Sequence, residues 1–260
     1  MNVARVAFPA HWGARMLWVG VSLYVIFALG TLQVSWDRVL QGGPQAAKLI
    51  SRMWPPNLAP DKLELISSGM LESLQIAVIA SFAGVLLSLP LSLMAARNLA
   101  PASLAAAARV VIALCRSFHP VIVSILFVKA VGFGALAGVL ALIVSSMGFV
   151  SKLFAEVLEE LDERQVEAVR ATGAGFGAVL VMAVMPQVYA RFIGLAAYQF
   201  DSNLRNSTMV GIVGGGGIGA ALFTAYQRFD YDVVMTILML TIALIMMAEA
   251  LSLGLKRVFR

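Results

Sequence analysis

The sequence predicts an all-α integral membrane protein with about six transmembrane helices. Of its 260 residues, 60% are apolar and only 13% are charged, whereas soluble domains are roughly 45–50% apolar and about 25% charged. Several windows of about 20 residues carry no charge, and a helix of that length crosses the hydrocarbon layer. This composition excludes a soluble globule, a disordered chain and a fibre. The 19 Lys and Arg are separated by long uncharged stretches, so no nucleic-acid partner is expected.

Six apolar windows are expected to span the membrane. Backbone groups in lipid must be satisfied within the chain, so each window is predicted to be helical. The third window contains Arg109, Arg116 and a kink-prone pair, His119-Pro120. The predicted spans are Met16–Val34, Ser73–Ala96, Ala102–Val128, Ala130–Ser151, Met185–Leu204 and Val233–Ala248.

Two further uncharged windows, Ala171–Ala190 and Asn206–Gln227, are rich in glycine. Glycine density disfavours a regular lipid-facing helix, so neither window is expected to be one. The first span is expected to be a retained anchor rather than a signal peptide. Its uncharged core of 19 residues exceeds the roughly 7–15 residues of a signal h-region, and no small-residue cleavage site follows it.

The distribution of basic residues favours cytoplasmic termini. An even number of spans places both termini on one side, and Lys256, Arg257 and Arg260 directly follow the last span. Tryptophans in the segment after the first span are expected near the lipid headgroups. The expected organisation is a cytoplasmic N-terminus at 1–15, an anchor at 16–34, an external loop at 35–70, a core at 71–255 and a cytoplasmic tail at 256–260.

The acidic residues are concentrated in one segment that follows the fourth span. Six of the 14 lie between Glu156 and Glu167, and apolar residues recur among them at helical spacing. The pattern predicts an amphipathic helix that continues directly out of the span. A solvated helix face is the simplest interpretation of such a run of charge.

The residues that follow favour a more specific interpretation. The sequence QVEAVRATGAGFGAVLVMAVMPQ occupies residues 165–187. It resembles the EAA loop of ABC importer permeases, in which Glu-Ala-Ala precedes Gly by three residues and a Leu-Pro pair follows. The spacing matches throughout, although Val169, Ala183 and Met185 replace Ala, Ile and Leu of the family pattern. The alternative is an ordinary loop between two spans.

The resemblance implies that residues from about 156 to 185 form a cytoplasmic coupling helix and its turns. A glycine allows a sharp turn after a helix, and proline suits the first turn of the next one. Such a projection can enter a groove on a soluble partner, which in the family is the ATP-hydrolysing subunit. The implied contact residues are Glu163, Glu167, Ala168, Arg170, Ala171, Gly173 and Phe176.

A glycine run lies in the stretch MVGIVGGGGIG, residues 209–219. Gly214, Gly216 and Gly219 match the pattern G-x-G-x-x-G, but that fingerprint needs a strand before it and a helix after it, and no parallel sheet is predicted here. Two interpretations stay open, namely close helix packing, including a dimer seam, and a broken segment that gates a path. The glycines concerned are Gly211, Gly214, Gly215, Gly216, Gly217 and Gly219.

Two further stretches, residues 116–142 and 205–232, are similar to phosphonate and phosphite permeases of ABC importers. The resemblance covers roughly residues 65–255 and departs from many relatives at Val121, where they have Glu. It implies a type I ABC importer permease fold, like that of methionine permeases, in the inner membrane. It further implies a homodimer, two copies of a separate ATPase that holds ATP and Mg²⁺, and an external solute-binding protein.

Candidate substrate contacts follow from charged and polar groups in the spans, where an ionisable residue is costly to insert. An anionic phosphorus oxyanion requires guanidinium, hydroxyl or amide donors. Arg116, Asn206, Ser207 and Thr208 are therefore nominated. The structural alternatives are a pair between Arg116 and Asp201 or a helix carbonyl, and a helix N-cap formed by the Asn206–Thr208 group.

The sequence offers little for catalysis or metal binding. Cys115 is the single cysteine, and His11 and His119 are the two histidines, so a disulfide framework or a metal site is not expected. No P-loop, Ser/His/Asp constellation or carboxylate pair is found. We therefore expect a non-enzymatic chain without its own cofactor. The alternatives are a permease for another solute such as methionine, a secondary transporter, which would show inverted repeats, and a lipid-phosphate enzyme.

Overall fold

The computed structural model describes residues 12–32 and 35–258, and within these ranges it contains helices and no strand. The chain divides into two compact units, one ending at Arg52 and the other beginning at Met53. The helices are α1 (Trp12–Thr31), α2 (Trp36–Met53), α3 (Pro60–Ala95), α4 (Ala102–Ser117), α5 (Pro120–Val131), α6 (Ala135–Glu159), α7 (Glu163–Ala171), α8 (Phe176–Val179), α9 (Met185–Ile212), α10 (Ile218–Gln227) and α11 (Tyr231–Val258). A π-helical turn, Leu180–Val184, joins α8 to α9.

The helices agree with the six predicted spans. Within residues 12–32 and 35–258, five helices are long and apolar enough to cross a membrane alone, and α4 and α5 form a sixth candidate that is bent by 88°. The bend lies at His119-Pro120, as predicted, since proline has no N–H to continue the helix. The His119 Nδ1 accepts a hydrogen bond from the Val121 N–H at 3.3 Å and so caps α5.

The predicted loop at 35–70 is wrong as a description of local structure. Helix α2 occupies residues 36–53, and α3 begins at Pro60, 13 residues before the predicted start of the second span. Proline at the first turn of α3 needs no amide partner there, and Ile66 and Gly69 of these early turns are buried. The external position of this segment stays a prediction.

Two other predicted boundaries also require correction. The fourth span begins at Ala135 rather than Ala130, because Gly132 and Gly134 adopt φ of +93° and +128° and interrupt the helix. It then continues to Glu159, as expected from the acidic pattern. The window 171–190 is helical from Phe176 onward, contrary to expectation, and the fifth span extends over Phe176–Ile212. Gly173 and Gly175 lie before that helix, so they do not weaken it.

Helix α6 is the centre of the second unit and packs against α3, α4, α5 and α9. Small residues allow the close approach that helices in lipid need. A Cβ added at Gly84 of α3 would lie 2.4 Å from the Cβ of Ser146, and one at Gly148 would lie 2.8 Å from the Cβ of Cys115 on α4. The glycines on these faces therefore set the distances between α6 and its neighbours.

The glycine run breaks the helical path between α9 and α10. Gly214, Gly216 and Gly217 have φ of +98°, +79° and +75°, a region that other residues rarely adopt. A Cβ at Gly219 would lie 1.9 Å from the Thr208 carbonyl oxygen, and one at Gly211 would lie 2.3 Å from that of Gly216. The broken segment was predicted, and close packing within the chain is observed. Its roles as a gate and as a dimer seam remain predictions.

Gly219→Ala is expected to destabilise the folded protein by about 1–3 kcal/mol or more, because its Cβ collides with backbone that cannot yield. Gly194→Ala in α9 is the matched control, since nothing lies within 4 Å of its Cβ and alanine favours a helix by up to ~1 kcal/mol. Thermal unfolding of the purified protein in detergent measures both. Equal melting temperatures for the two variants would show that α9 and α10 do not pack in this way.

Candidate functional site

The segment from 156 to 185, hereafter called the coupling loop after its predicted role, runs from the end of α6 through α7 and α8 into the fifth candidate span. Asp162 caps α7 by accepting a hydrogen bond from the Arg164 N–H at 3.0 Å. Its own N–H donates to the Gln187 Oε1 of α9 at 3.1 Å. The turn that precedes α7 is therefore tied directly to the start of the next long helix.

A hydrophobic cluster beneath the coupling loop gives it rigidity. Val166 of α7 is buried together with Leu158 at the end of α6 and Leu161 in the turn that follows. The rings of Phe154 on α6 and Phe192 on α9 lie 4.9 Å apart between centroids. Because α6, α7 and α9 share this one cluster, a displacement of α7 must be transmitted to both spans.

All the residues expected to contact the ATPase lie on the surface of the coupling loop. Gly173 has a φ of +78°, and its N–H donates to the Arg170 carbonyl at 2.9 Å. It thus ends α7 with the predicted sharp turn, while the Phe176 side chain is 60% exposed. The exposed residues are Glu163, Glu167, Ala168, Arg170, Ala171, Gly173 and Phe176.

The acidic segment is more than a solvated face, because two of its carboxylates join separate helices. The Glu159 Oε1 accepts from the Arg109 Nη2 at 2.6 Å and from the Arg97 N–H at 2.8 Å. Glu160 pairs with Arg191 of α9 at 2.7 Å. Charge-assisted hydrogen bonds thus join the end of α6 to α4, to α9 and to the turn after α3. No sequence pattern indicates which residues form these pairs, because the partners are 31 to 62 residues apart in the chain.

Arg116 lies on a cavity of about 180 Å³ rather than in an ion pair. Asp201 pairs with Arg205 at 2.6 Å, so the alternative pair between Arg116 and Asp201 is wrong. Arg205 is the i,i+4 neighbour of Asp201 on α9, whereas Arg116 belongs to α4, which packs on α3 and α6. The cavity is lined by Ala95, Arg109, Ile112, Ala113, Arg116, Lys152, Ala155 and Glu156.

Two of the three cations around this cavity are already neutralised. Arg109 pairs with Glu159, and Lys152 pairs with Glu156. Arg116 makes no ion pair with any described residue. The cavity therefore presents one uncompensated positive charge, that of Arg116.

The Asn206–Thr208 group lies inside α9, so its interpretation as a helix N-cap is wrong. The Ser207 hydroxyl is buried and donates to the Leu204 carbonyl at 2.8 Å. Asn206 and Thr208 are half-buried. Since α4 packs on α3 and α6 whereas these residues belong to α9, none of them lines the cavity around Arg116.

A buried polar network at the centre of the bundle was missed by the sequence analysis. The Asn203 Nδ2 donates to the Ser81 Oγ at 2.9 Å and to the Ser146 Oγ at 2.8 Å. The Gln199 Nε2 donates to the same Ser146 Oγ at 2.9 Å. Side chains from α3, α6 and α9 thus meet at one point. Gln199 and Asn203 lie four residues apart in an apolar helix, and this spacing is the signal that could have revealed the network.

A larger cavity of about 470 Å³ lies between α3, α10 and α11. It is lined by charged residues of both signs, including Lys62, Glu72, Arg228 and Asp230. The Ser73 Oγ accepts from the Ile218 N–H at 2.8 Å and fixes the start of α10 beside it. The glycine run therefore positions α10 as one wall of this cavity.

Comparisons with known proteins place this architecture among membrane components of transport systems. A model of the family "Binding-protein-dependent transport system inner membrane component" matches residues 88–255. The phosphite transport system permease protein PtxC of Stutzerimonas stutzeri is 38% identical over 93% of this chain and 86% of its own length. The phosphate-import permease protein PhnE of Mycolicibacterium smegmatis is 37% identical over 85% of this chain, and the match covers 41% of the length of PhnE. A chain of the inward-facing MetNI methionine ABC transporter superposes with a TM-score of 0.68 at 21% identity, over 78% of this chain and 100% of its own, and so shows a shared fold.

Asn203→Ala is expected to destabilise the protein by about 1–3 kcal/mol, because it leaves the buried Ser81 hydroxyl without its amide partner and removes the hydrogen bonds that join Asn203 to Ser146 and Gln199. Asn206→Ala is the control, since its side chain is half-buried and makes one long hydrogen bond of 3.4 Å to Ser202. Thermal melting in detergent compares the two. A control variant that melts as early as Asn203→Ala would argue against a stabilising role of the network.

Proposed function

This chain belongs to the family of binding-protein-dependent transport system inner membrane components, and from that membership we propose that it carries a small phosphorus oxyanion such as phosphite, a phosphonate or phosphate. Its relatives are named transport permease proteins, so its part in the system is that of a multi-pass inner-membrane permease rather than an enzyme. The observation that carries the substrate class is the 38% identity to a phosphite permease over 93% of the chain. The shared fold with a methionine transporter at 21% identity indicates architecture alone.

We propose that the coupling loop docks on a separate cytoplasmic ATPase, which holds the ATP and Mg²⁺. The exposed face of α7 is short, charged and held by a hydrophobic cluster, which suits a helix that inserts into a groove. The Glu167 carboxylate is exposed and is free to meet basic residues of the partner. This proposal places the termini in the cytoplasm and the 35–70 segment outside.

The same geometry supports alternating access as the transport mechanism. Helix α9 starts at Met185 beside the coupling loop and ends at Ile212 beside the glycine break, a length of about 42 Å. A rotation imposed on α7 therefore reaches the opposite end of the bundle through one continuous helix. In the proposed assembly, two copies of the chain enclose the path, two ATPases move the loops, and an external solute-binding protein delivers the anion.

Arg116 is the residue we propose for electrostatic contact with the anion. One uncompensated guanidinium attracts an oxyanion, and the neutralised neighbours Arg109 and Lys152 leave the attraction weak enough for release. Asn206, Ser207 and Thr208 lie apart from Arg116 within one chain. A contact between these residues and the substrate therefore requires a different position along the path from that of Arg116. Asn206 and Thr208 are half-buried.

Glu167→Arg is expected to weaken capture of the ATPase by about tenfold or more, because it replaces an attractive charge with a repulsive one at the docking face. Copurification of the solubilised complex, with the ATPase carrying the affinity tag, measures the effect. Glu64→Arg is the matched control, since Glu64 is also an exposed helical glutamate but lies near the predicted external end of α3. Undiminished capture with Glu167→Arg would refute docking through this face.

Arg116→Ala is expected to lower uptake of radiolabelled phosphite or phosphonate by about tenfold, whereas the complex still assembles. Arg116→Lys keeps the charge and should recover part of the rate. Lys129→Ala removes an exposed cation at the end of α5 and serves as the control. Proteoliposomes with the ATPase inside and the binding protein outside report uptake. Uptake at the rate of the unmodified protein in Arg116→Ala would exclude this contact.

A further inference from the structure

We propose that α2 is an interfacial helix that lies along the membrane surface, with its apolar face in the boundary between headgroups and acyl chains and its basic face toward anionic phospholipids. This inference concerns the first compact unit and does not rest on the substrate or the ATPase. It replaces the expected loop with a second element that binds lipid.

The residues of α2 divide into two faces when they are placed at ~100° per residue. One face is apolar and recurs at helical spacing. The opposite face carries every charged residue of the helix. The apolar face contains Trp36, Val39, Leu40, Gly43, Ala46, Ala47, Ile50 and Met53, and the polar face contains Asp37, Arg38, Gln41, Gln45, Lys48 and Arg52.

The apolar face of α2 is uncovered except at Met53, which is half-buried against the cluster that contains Ile66. None of its residues is buried, and Trp36, Leu40 and Ile50 are 76%, 73% and 65% exposed. A contiguous apolar surface of this kind marks a contact with another protein or with a membrane. The face therefore needs an occupant.

The position of α2 in the chain favours the membrane as that occupant. Helix α1 is an apolar candidate span that ends at Thr31, and α2 begins at Trp36. The intervening residues reach at most ~18 Å when extended, so the start of α2 stays near the surface from which α1 emerges. Trp36 at its start and Trp54 just after its end have the amphipathic rings that prefer the headgroup region.

The charge of α2 specifies the kind of lipid. Its polar face carries Arg38, Lys48 and Arg52 against the single Asp37, which is three positive charges less one negative, or a net charge of +2. These charges also prevent α2 from crossing the hydrocarbon, and it is not among the candidate spans of the described chain. A basic amphipathic helix of this kind binds at an interface and gains affinity from anionic headgroups such as phosphatidylglycerol.

Site-directed spin labelling of the full-length protein tests the orientation. In a Cys115→Ala background, Ile50→Cys and Gln45→Cys place one label on each face of α2, in nanodiscs of phosphatidylcholine and phosphatidylglycerol. We expect the Ile50→Cys label to be accessible to oxygen but shielded from a water-soluble nickel complex, and the Gln45→Cys label to show the reverse. Val39→Cys and Gln41→Cys form a second pair, used if either label prevents monodisperse elution.

Two results would overturn the orientation. Equal access of the nickel complex to both faces would place α2 in water. Shielding of the apolar face from both reagents would mean that protein, either a second copy or another chain, covers it. The outcome does not depend on transport, so failure here and failure of the proposed function are distinguishable.

The lipid preference is tested by changing the basic face. The triple substitution Arg38→Gln, Lys48→Gln and Arg52→Gln is combined with the Ile50→Cys label, and the depth of the label is compared between nanodiscs with and without phosphatidylglycerol. The unmodified basic face should give a deeper label with the anionic lipid, and the triple variant should lose that difference. If the label depth depends equally on phosphatidylglycerol in both proteins, the three basic residues do not provide a preference for anionic lipid, and that part of the proposal is refuted.

Discussion

The need to satisfy every polar group without water determines most of this structure. In hydrocarbon an unpaired amide or carboxylate is costly, so the described chain is helical and its polar side chains gather where helices meet. Asn203 connects α3, α6 and α9 at the centre, whereas Glu159 and Glu160 connect helix ends. Between these points the glycines bring backbones close enough for dispersion to act.

The coupling loop is packed into the helix bundle and is not a separate surface loop. Its hydrophobic cluster is formed by α6, α7 and α9 together, and its turn is bonded to Gln187 at the start of α9. The opposite end of α9 meets the glycine break. A displacement of α7 would therefore act on a helix whose far end borders the break formed by the glycine run.

Much of this could be predicted from the sequence, because local signals determine it. The apolar windows, the bend at His119-Pro120 and the turn at Gly173 depend on nearby residues. Long-range pairing could not be predicted, since no local pattern indicates that Glu159 would pair with Arg109, 50 residues away. The Asp201–Arg205 pair is different, because its i,i+4 spacing is a local signal. Helix α2 was assigned to a loop for a different reason, because its charges and its Gly-Gly-Pro sequence hide an amphipathic period.

The π-helical turn at Leu180–Val184 has a consequence for the phase of the fifth span. Val179 and Val188 are both buried in the same cluster, yet nine residues of ordinary α-helix would rotate one from the other by about 180°. The wider turn absorbs one residue and brings the two within about 80° of each other. Chain length is thus adjustable at this point, and a homologous chain one residue shorter here would keep the same side chains facing inward.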